Sequence, residues 1–172
     1  KENDVIIDAG SYIGDFILYA QYKTNYTAQI HAFELEDEHI EIIKKNLILN
    51  PKSGSNVTIV KKALTNENDK ELIFSKYGAG SALDLPDIMN ERYIDMNIKK
   101  NITSITLDKY VELNSLKSVD FIKMDIEGGE YQALQGAVNA IKLFKPRLAI
   151  SIYHLKADLY SIHALISNIE PN

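Results

Sequence analysis

The chain has no cysteine among its 172 residues. That absence excludes a disulfide-stapled scaffold, a thiolate zinc site and thiol catalysis together. Runs of lysine and arginine are also missing. The 19 basic residues are scattered among 24 acidic ones, for a net charge of −5, which gives no sequence-independent grip on nucleic acid or an anionic membrane. No apolar stretch approaches the roughly 18 residues of a membrane-spanning helix, and no charged start followed by an apolar segment marks a secretory signal. The expectation is a cytoplasmic protein with neither nucleic acid nor membrane as partner.

What is present is ordinary for a soluble globular protein: 45% hydrophobic and 25% charged residues. A chain of this length is one domain, 1–172, and folding should bury roughly 70% of its surface without staples. It opens at Lys1 rather than Met and ends at Pro171-Asn172, just after a helix-like segment. Those ends raise the expectation of a polypeptide that continues past both.

Short apolar runs alternate with amphipathic stretches, the pattern of an α/β sheet built from crossover units. Val5-Ile6-Ile7 reads as a parallel strand buried on both faces. Further strands are predicted at Ile30 to Phe33, Val57 to Val60, Val119 to Met124 and Leu148 to Tyr153, the last delivering His154 at its tip. Helices are predicted over Phe16 to Tyr22, from Asp37 to a stop at Asn50-Pro51, and over Asp158 to Ser167. Another runs from Glu130, with Tyr131, Leu134, Val138 and Ile141 on one continuous stripe. Between residues 66 and 101 the pattern weakens. Leu72-Ile73-Phe74 suggests a strand, Tyr77 to Ser81 a loop, and residues 78–100 an irregular insertion that would act as a flap over the substrate. Ile102 to Leu107 alternates like a half-exposed strand, with Asp108 as candidate cap of a short helix.

In an open α/β sheet, ligands bind beyond the carboxyl ends of the strands. There the sequence places Asp8 with the turn Gly10-x-x-x-Gly14, then Glu34, then Asp125 and Glu127, then His154. The turn is not the G-x-G-x-x-G dinucleotide fingerprint, and the acid before it would repel a diphosphate and suit a cation. An acid at the end of the second strand can accept ribose hydroxyls. A ligand with a ribose, no phosphate and a positive charge satisfies both, and S-adenosylmethionine is such a ligand.

The stretches Val5 to Gly14, Ala32-Phe33-Glu34, Ile105 to Asp108 and, above all, Val119 to Glu130 with Leu134 and Gly136 resemble the FkbM family of S-adenosylmethionine-dependent methyltransferases. The most specific part is the Lys123-x-Asp125-x-Glu127-Gly128 run. The resemblance implies the Rossmann-like class I methyltransferase fold: a mainly parallel twisted sheet of core order 3-2-1-4-5 with helices on both faces. Two C-terminal strands that usually form an antiparallel edge have no counterpart here. It further implies that Asp8, Gly10 and Gly14 shape the methionine end of the cofactor site and that Glu34 holds the ribose. Lys62 or Ala63 would lie near the adenine, with Asp125 and Glu127 facing the sulfonium and the acceptor. The activity implied is O-methylation of a hydroxyl on a sugar or natural product, a small-molecule or carbohydrate acceptor.

Each assignment has a plainer rival. Gly10 and Gly14 suit any tight strand-to-helix turn, Asp8 any helix cap, and Glu34 a solvated acidic cluster with Glu36, Asp37 and Glu38. Lys123 reads best as a buried partner of a carboxylate holding the loop. Tyr12 either packs over the cofactor or faces solvent, and His31, His39 and His163 carry no functional reading. For the base that removes the acceptor proton the candidates are Glu127, Asp125 and His154, in that order. A metal is left out because Asp125 and Glu127 lack a third ligand in the sequence. Two other functions fit a fold of this class: a dinucleotide-dependent oxidoreductase and a catalytically silent binding module.

Overall fold

The uninterrupted apolar runs become the deepest strands. The computed structural model describes residues 1–77, 80–83 and 99–171. In chain order its first elements are β1 (Val5–Ala9), α1 (Asp15–Lys23), β2 (Gln29–Phe33), α2 (Asp37–Leu49), α3 (Pro51–Gly54), β3 (Val57–Val60) and β4 (Ala63–Leu64). Then come β5 (Glu71–Tyr77), β6 (Gly80–Leu83), β7 (Lys99–Ile105), α4 (Leu107–Leu113), β8 (Phe121–Met124), α5 (Glu130–Gln135), α6 (Val138–Phe144), β9 (Arg147–Ile150) and α7 (Asp158–Ile169).

β3, β2, β1, β8 and β9 form, in that order, one five-stranded sheet whose neighbours are all parallel. β1 is buried along its whole length because helices cover both faces. Alternate residues serve the two sides: Ile6 packs with Ile17, Ile30 and Ile43 under α1 and α2, whereas Ile7 packs with Ile122, Leu134 and Ile162 under the later helices. Each such fully buried aliphatic side chain contributes about 2 kcal/mol through area removed from water. This is the Rossmann-like α/β architecture expected, with the core strands in the expected 3-2-1-4-5 order. Among the described residues no helix is long and apolar enough to cross a membrane.

A second sheet, β4-β7-β5-β6, has mixed pairing: β4 and β7 run parallel, while β5 is antiparallel to both of its neighbours. Tyr77 to Ser81 is therefore no simple loop, since Tyr77 pairs with Gly80 and Lys76 with Ser81. Of the expected insertion, 80–83 and 99–100 lie in strands, and 78–79 and 84–98 lie outside the described residues.

Three local readings change. The helix after Glu130 is broken into α5 and α6 at Gly136, where an added Cβ would fall 2.0 Å from the Thr65 carbonyl oxygen. α4 is capped by Thr106, whose hydroxyl accepts from the Lys109 amide, and not by Asp108. Asp108 instead accepts from the Asn139 and Ala140 amides, at the start of α6. Finally β9 stops at Ile150, so His154 comes from the loop beyond the strand and not from its tip.

Candidate active site

A cavity of about 590 Å³ opens at the carboxyl edge of the parallel sheet. The turn after β1, the end of β2, Lys62 to Leu64 and the loop after β8 form its rim, and Phe74 and Leu83 of the second sheet supply an apolar wall. Gly10, Glu34, Lys62, Ala63, Asp125 and Glu127 all line it. Asp8, Gly14 and His154 stand behind that lining.

Glu34 follows β2 directly and is only 8% exposed. Its Oε2 accepts the Tyr12 amide at 2.7 Å, and Oε1 accepts the Leu35 and Glu36 amides, each at 2.9 Å. The amides come from the turn after β1 and from the chain leading into α2, so two crossovers hold one carboxylate. His39 Nδ1 lies 3.4 Å from Oε1, and the Tyr12 ring meets the His39 ring edge-on at 4.6 Å between centroids. Tyr12 and His39 both line the cavity. The sequence left Tyr12 open and gave His39 no role, since their contacts with each other and with Glu34 are made only by folding.

Gly10 has φ +78°, and a Cβ there would stand 1.9 Å from the Asp125 carbonyl oxygen. Only a glycine lets the β1 turn approach the β8 loop so closely. Gly14, the N-cap of α1, has φ +85°, and a Cβ there would stand 3.2 Å from Ile43 Cγ1. Asp8 lies inside β1, fully buried, with Lys123 Nζ 3.3 Å from its Oδ1. Burial holds the Asp8 carboxyl above the usual carboxylate range, partly offset by the lysine charge. Lys123 also donates to the Gly10 carbonyl at 2.6 Å. The lysine thus ties the turn to the neighbouring strand, as the plainer reading of Lys123 held.

The far end of the cavity is acidic. β8 ends at Met124, and Glu127 sits at φ +60°, so it shares the cavity with Asp125 through a loop turn and not through strand alternation. The loop is held from behind by Glu130, which is fully buried and accepts the Ile126 amide at 2.7 Å and the Gly128 amide at 3.0 Å. His154 packs against the same group. Its Nδ1 is 3.0 Å from Glu130 Oε1, and its Nε2 is 3.3 Å from Asp125 Oδ1 and 3.8 Å from Glu127 Oε2. Burial disfavours the imidazolium, but hydrogen bonding and charge from Glu130, reinforced by Glu127 and Asp125, outweigh it and raise the His154 pKa. The Tyr153 hydroxyl donates to Asp125 Oδ1 at 2.9 Å, and that bond heads the causes raising the tyrosine's pKa. One donor atom each from Asp125, Glu130 and His154 falls within 4.8 Å of the others. Folding thus sets Glu130 and His154 beside Asp125, a grouping that spacing in the sequence does not show. Glu130 was readable as part of the motif, but its inward clamp was not.

Comparison with known proteins bears on the family and the fold. The methyltransferase FkbM domain model matches residues 8–169. A search of curated proteins found no match. Among solved structures, the methyltransferase FkbM from Methylobacillus flagellatus KT aligns over 99% of this chain with a TM-score of 0.74 and 24% identity. The chain spans 38% of the length of that protein. A putative rRNA-methylase from Clostridium thermocellum aligns over 99% of this chain and 73% of its own, with a TM-score of 0.58 and 12% identity. The precorrin-6y C5,15-methyltransferase from Geobacter metallireducens GS-15 aligns over 98% of this chain and 64% of its own, with a TM-score of 0.56 and 10% identity. At these identities the structural likeness is one of fold, whereas the domain match covers nearly the whole sequence: the chain belongs to the FkbM family of S-adenosylmethionine-dependent methyltransferases.

Proposed function

We propose that the chain carries an S-adenosylmethionine-dependent O-methyltransferase site whose acceptor is a hydroxyl of a small molecule or carbohydrate. One observation carries this reading: a backbone-clamped Glu34 and the Asp125–Glu127 pair face one cavity from the loops that follow different strands. The residues fit the cofactor. A carboxylate has roughly four acceptor positions, and three amides occupy Glu34, which leaves Oε2 capacity for a ribose hydroxyl. Lys62 and Ala63 form the adjoining rim for the adenine, and Gly10 clears the path for the methionine end. A volume near 590 Å³ suits a ligand of this size.

When bound, S-adenosylmethionine supplies an electrophilic methyl group on a sulfonium. The protein's task is to hold the acceptor oxygen close and in line, and to take its proton. Glu127 is the favoured base, because it lines the cavity and its left-handed backbone turns it toward the space beside Asp125. Asp125 is the second candidate. His154, the third candidate, lies behind both, with Nε2 3.3 Å from Asp125 and 3.8 Å from Glu127. The net charge of −5 disfavours a polyanionic acceptor. Calorimetric titration with S-adenosylhomocysteine and with NAD tests the cofactor, and methyl transfer to a hydroxylated library tests the acceptor. Binding of NAD with no S-adenosylhomocysteine signal would overturn the reading.

A further inference from the structure

We infer that Asp125 and His154 form a divalent-cation site on the acceptor side of the cavity, with Glu127 beside it. Glu130 makes the imidazole a ligand. Its carboxylate can only accept, and it meets Nδ1 at 3.0 Å while two backbone amides fix it in place. Glu130 is the nearer carboxylate, at 3.0 Å from Nδ1 against 3.3 Å from Nε2 to Asp125, so in the neutral ring it favours the proton on Nδ1 and leaves the Nε2 lone pair to the cavity side. A buried carboxylate behind a histidine, setting its tautomer and orientation, is the usual outer shell of a metal-bound imidazole.

The spacing agrees. Two donors about 2.1 Å from one ion at near-right angles stand about 3.0–3.4 Å apart, and Nε2 lies 3.3 Å from Asp125 Oδ1. Tyr153 fixes that same oxygen through a 2.9 Å hydrogen bond. Both acids line the cavity, so the ion's remaining positions open onto space for water and an acceptor hydroxyl. One imidazole with carboxylate and water ligands in an open site suits Mn²⁺ or Mg²⁺ better than a closed structural zinc.

The ion's role rests on the methyl-transfer reading; the site itself does not. A cation at this edge draws electron density from the acceptor oxygen and lowers its pKa. Glu127 takes the released proton, and an oxygen lone pair forms the new bond to the methyl carbon. The carbon–sulfur pair stays on sulfur, which leaves neutral S-adenosylhomocysteine.

The test uses the full chain, stripped with EDTA and titrated with MnCl₂ under saturating S-adenosylhomocysteine, with free Mn²⁺ read by electron paramagnetic resonance. One ion per chain is expected, bound at least tenfold more weakly by Asp125→Asn and by His154→Gln and equally well by Glu41→Gln, a surface acid of α2. Separate titration with S-adenosylhomocysteine on the same samples reports the cofactor reading. Wild-type protein that binds S-adenosylhomocysteine but takes up no Mn²⁺ overturns the cation site alone. Undiminished uptake by Asp125→Asn overturns its location, and this variant decides the matter if His154→Gln does not fold. A mapped Mn²⁺ site in a chain that ignores S-adenosylhomocysteine keeps the site and discards the methyl-transfer role.

Discussion

Glu34 and Asp125 face the same cavity, yet they are built in opposite ways. Glu34 is buried and clamped by rigid backbone donors. Asp125 has a side chain 39% exposed, and its partners are side chains: a tyrosine hydroxyl and an imidazole. Backbone amides cannot change protonation or move far, so the first arrangement suits recognition of a constant ligand group. Side-chain partners titrate and rearrange, so the second suits proton transfer. On the proposed reading, one end of the cavity holds and the other does the chemistry.

Substitutions at the two ends should therefore fail differently. The largest effect is expected of Glu127→Gln: methyl transfer in single turnover should fall by roughly 10²–10⁴-fold with cofactor affinity unchanged. A wild-type rate would move the base to Asp125. Next, Glu34→Ala should weaken S-adenosylhomocysteine by about 1.5–3 kcal/mol, read by calorimetry, with the chemical step spared at saturation. If it slowed transfer without weakening binding, the division between the two ends would collapse. Gly10→Ala, which drives a Cβ into the Asp125 carbonyl, should lower stability by about 1–3 kcal/mol in thermal denaturation. An unchanged melting temperature would show that the turn and the β8 loop are not locked together.

The smallest effect concerns two buried histidines. His154 has a raised pKa, whereas burial lowers that of His31, whose Nδ1 lies 2.7 Å from the Tyr110 hydroxyl. The signs are opposite. His154 contributes stability that is present below the unfolded value of 6.5 and lost as pH rises through its folded pKa. His31 contributes stability present above 6.5 and lost as pH falls through its folded pKa. Imidazole resonances followed by NMR should titrate above 6.5 for His154 and below it for His31. Glu130→Gln should bring the His154 midpoint down, and an unmoved midpoint would remove Glu130 from its orienting role.

The holding end was the more legible from sequence. Uninterrupted Val5-Ile6-Ile7 and Ile30 to Phe33 mark buried parallel strands, and Glu34 follows the second at a position that topology alone makes significant. The chemical end was legible in its acids but not in how they are supported. Glu130 reads like any first-turn acid of a helix, yet it turns back onto the Ile126 and Gly128 amides. The apolar stripe from Tyr131 to Ile141 is continuous, yet the helix breaks at Gly136, where the chain passes close to the Thr65 carbonyl. Asp8 stands where expected in the chain but is drawn inward by Lys123. In each case the deciding partner lies far off in sequence or across a turn, where periodicity carries no information.

The register that sets Asp8 opposite Lys123 also governs the order in which the molecule can assemble. β1 and β2 are close in sequence and can pair early, but the turn after β1 meets the β8 loop only once a segment of more than a hundred residues has been closed. Nonlocal parallel pairing of this kind is slow compared with local helix formation. During synthesis the Glu34 clamp emerges from the ribosome well before the strand that completes the opposite wall. On the proposed reading, a fluorescent S-adenosylhomocysteine analogue would then light up only once β8 has docked beside β1, making the binding pocket itself a reporter of that late pairing.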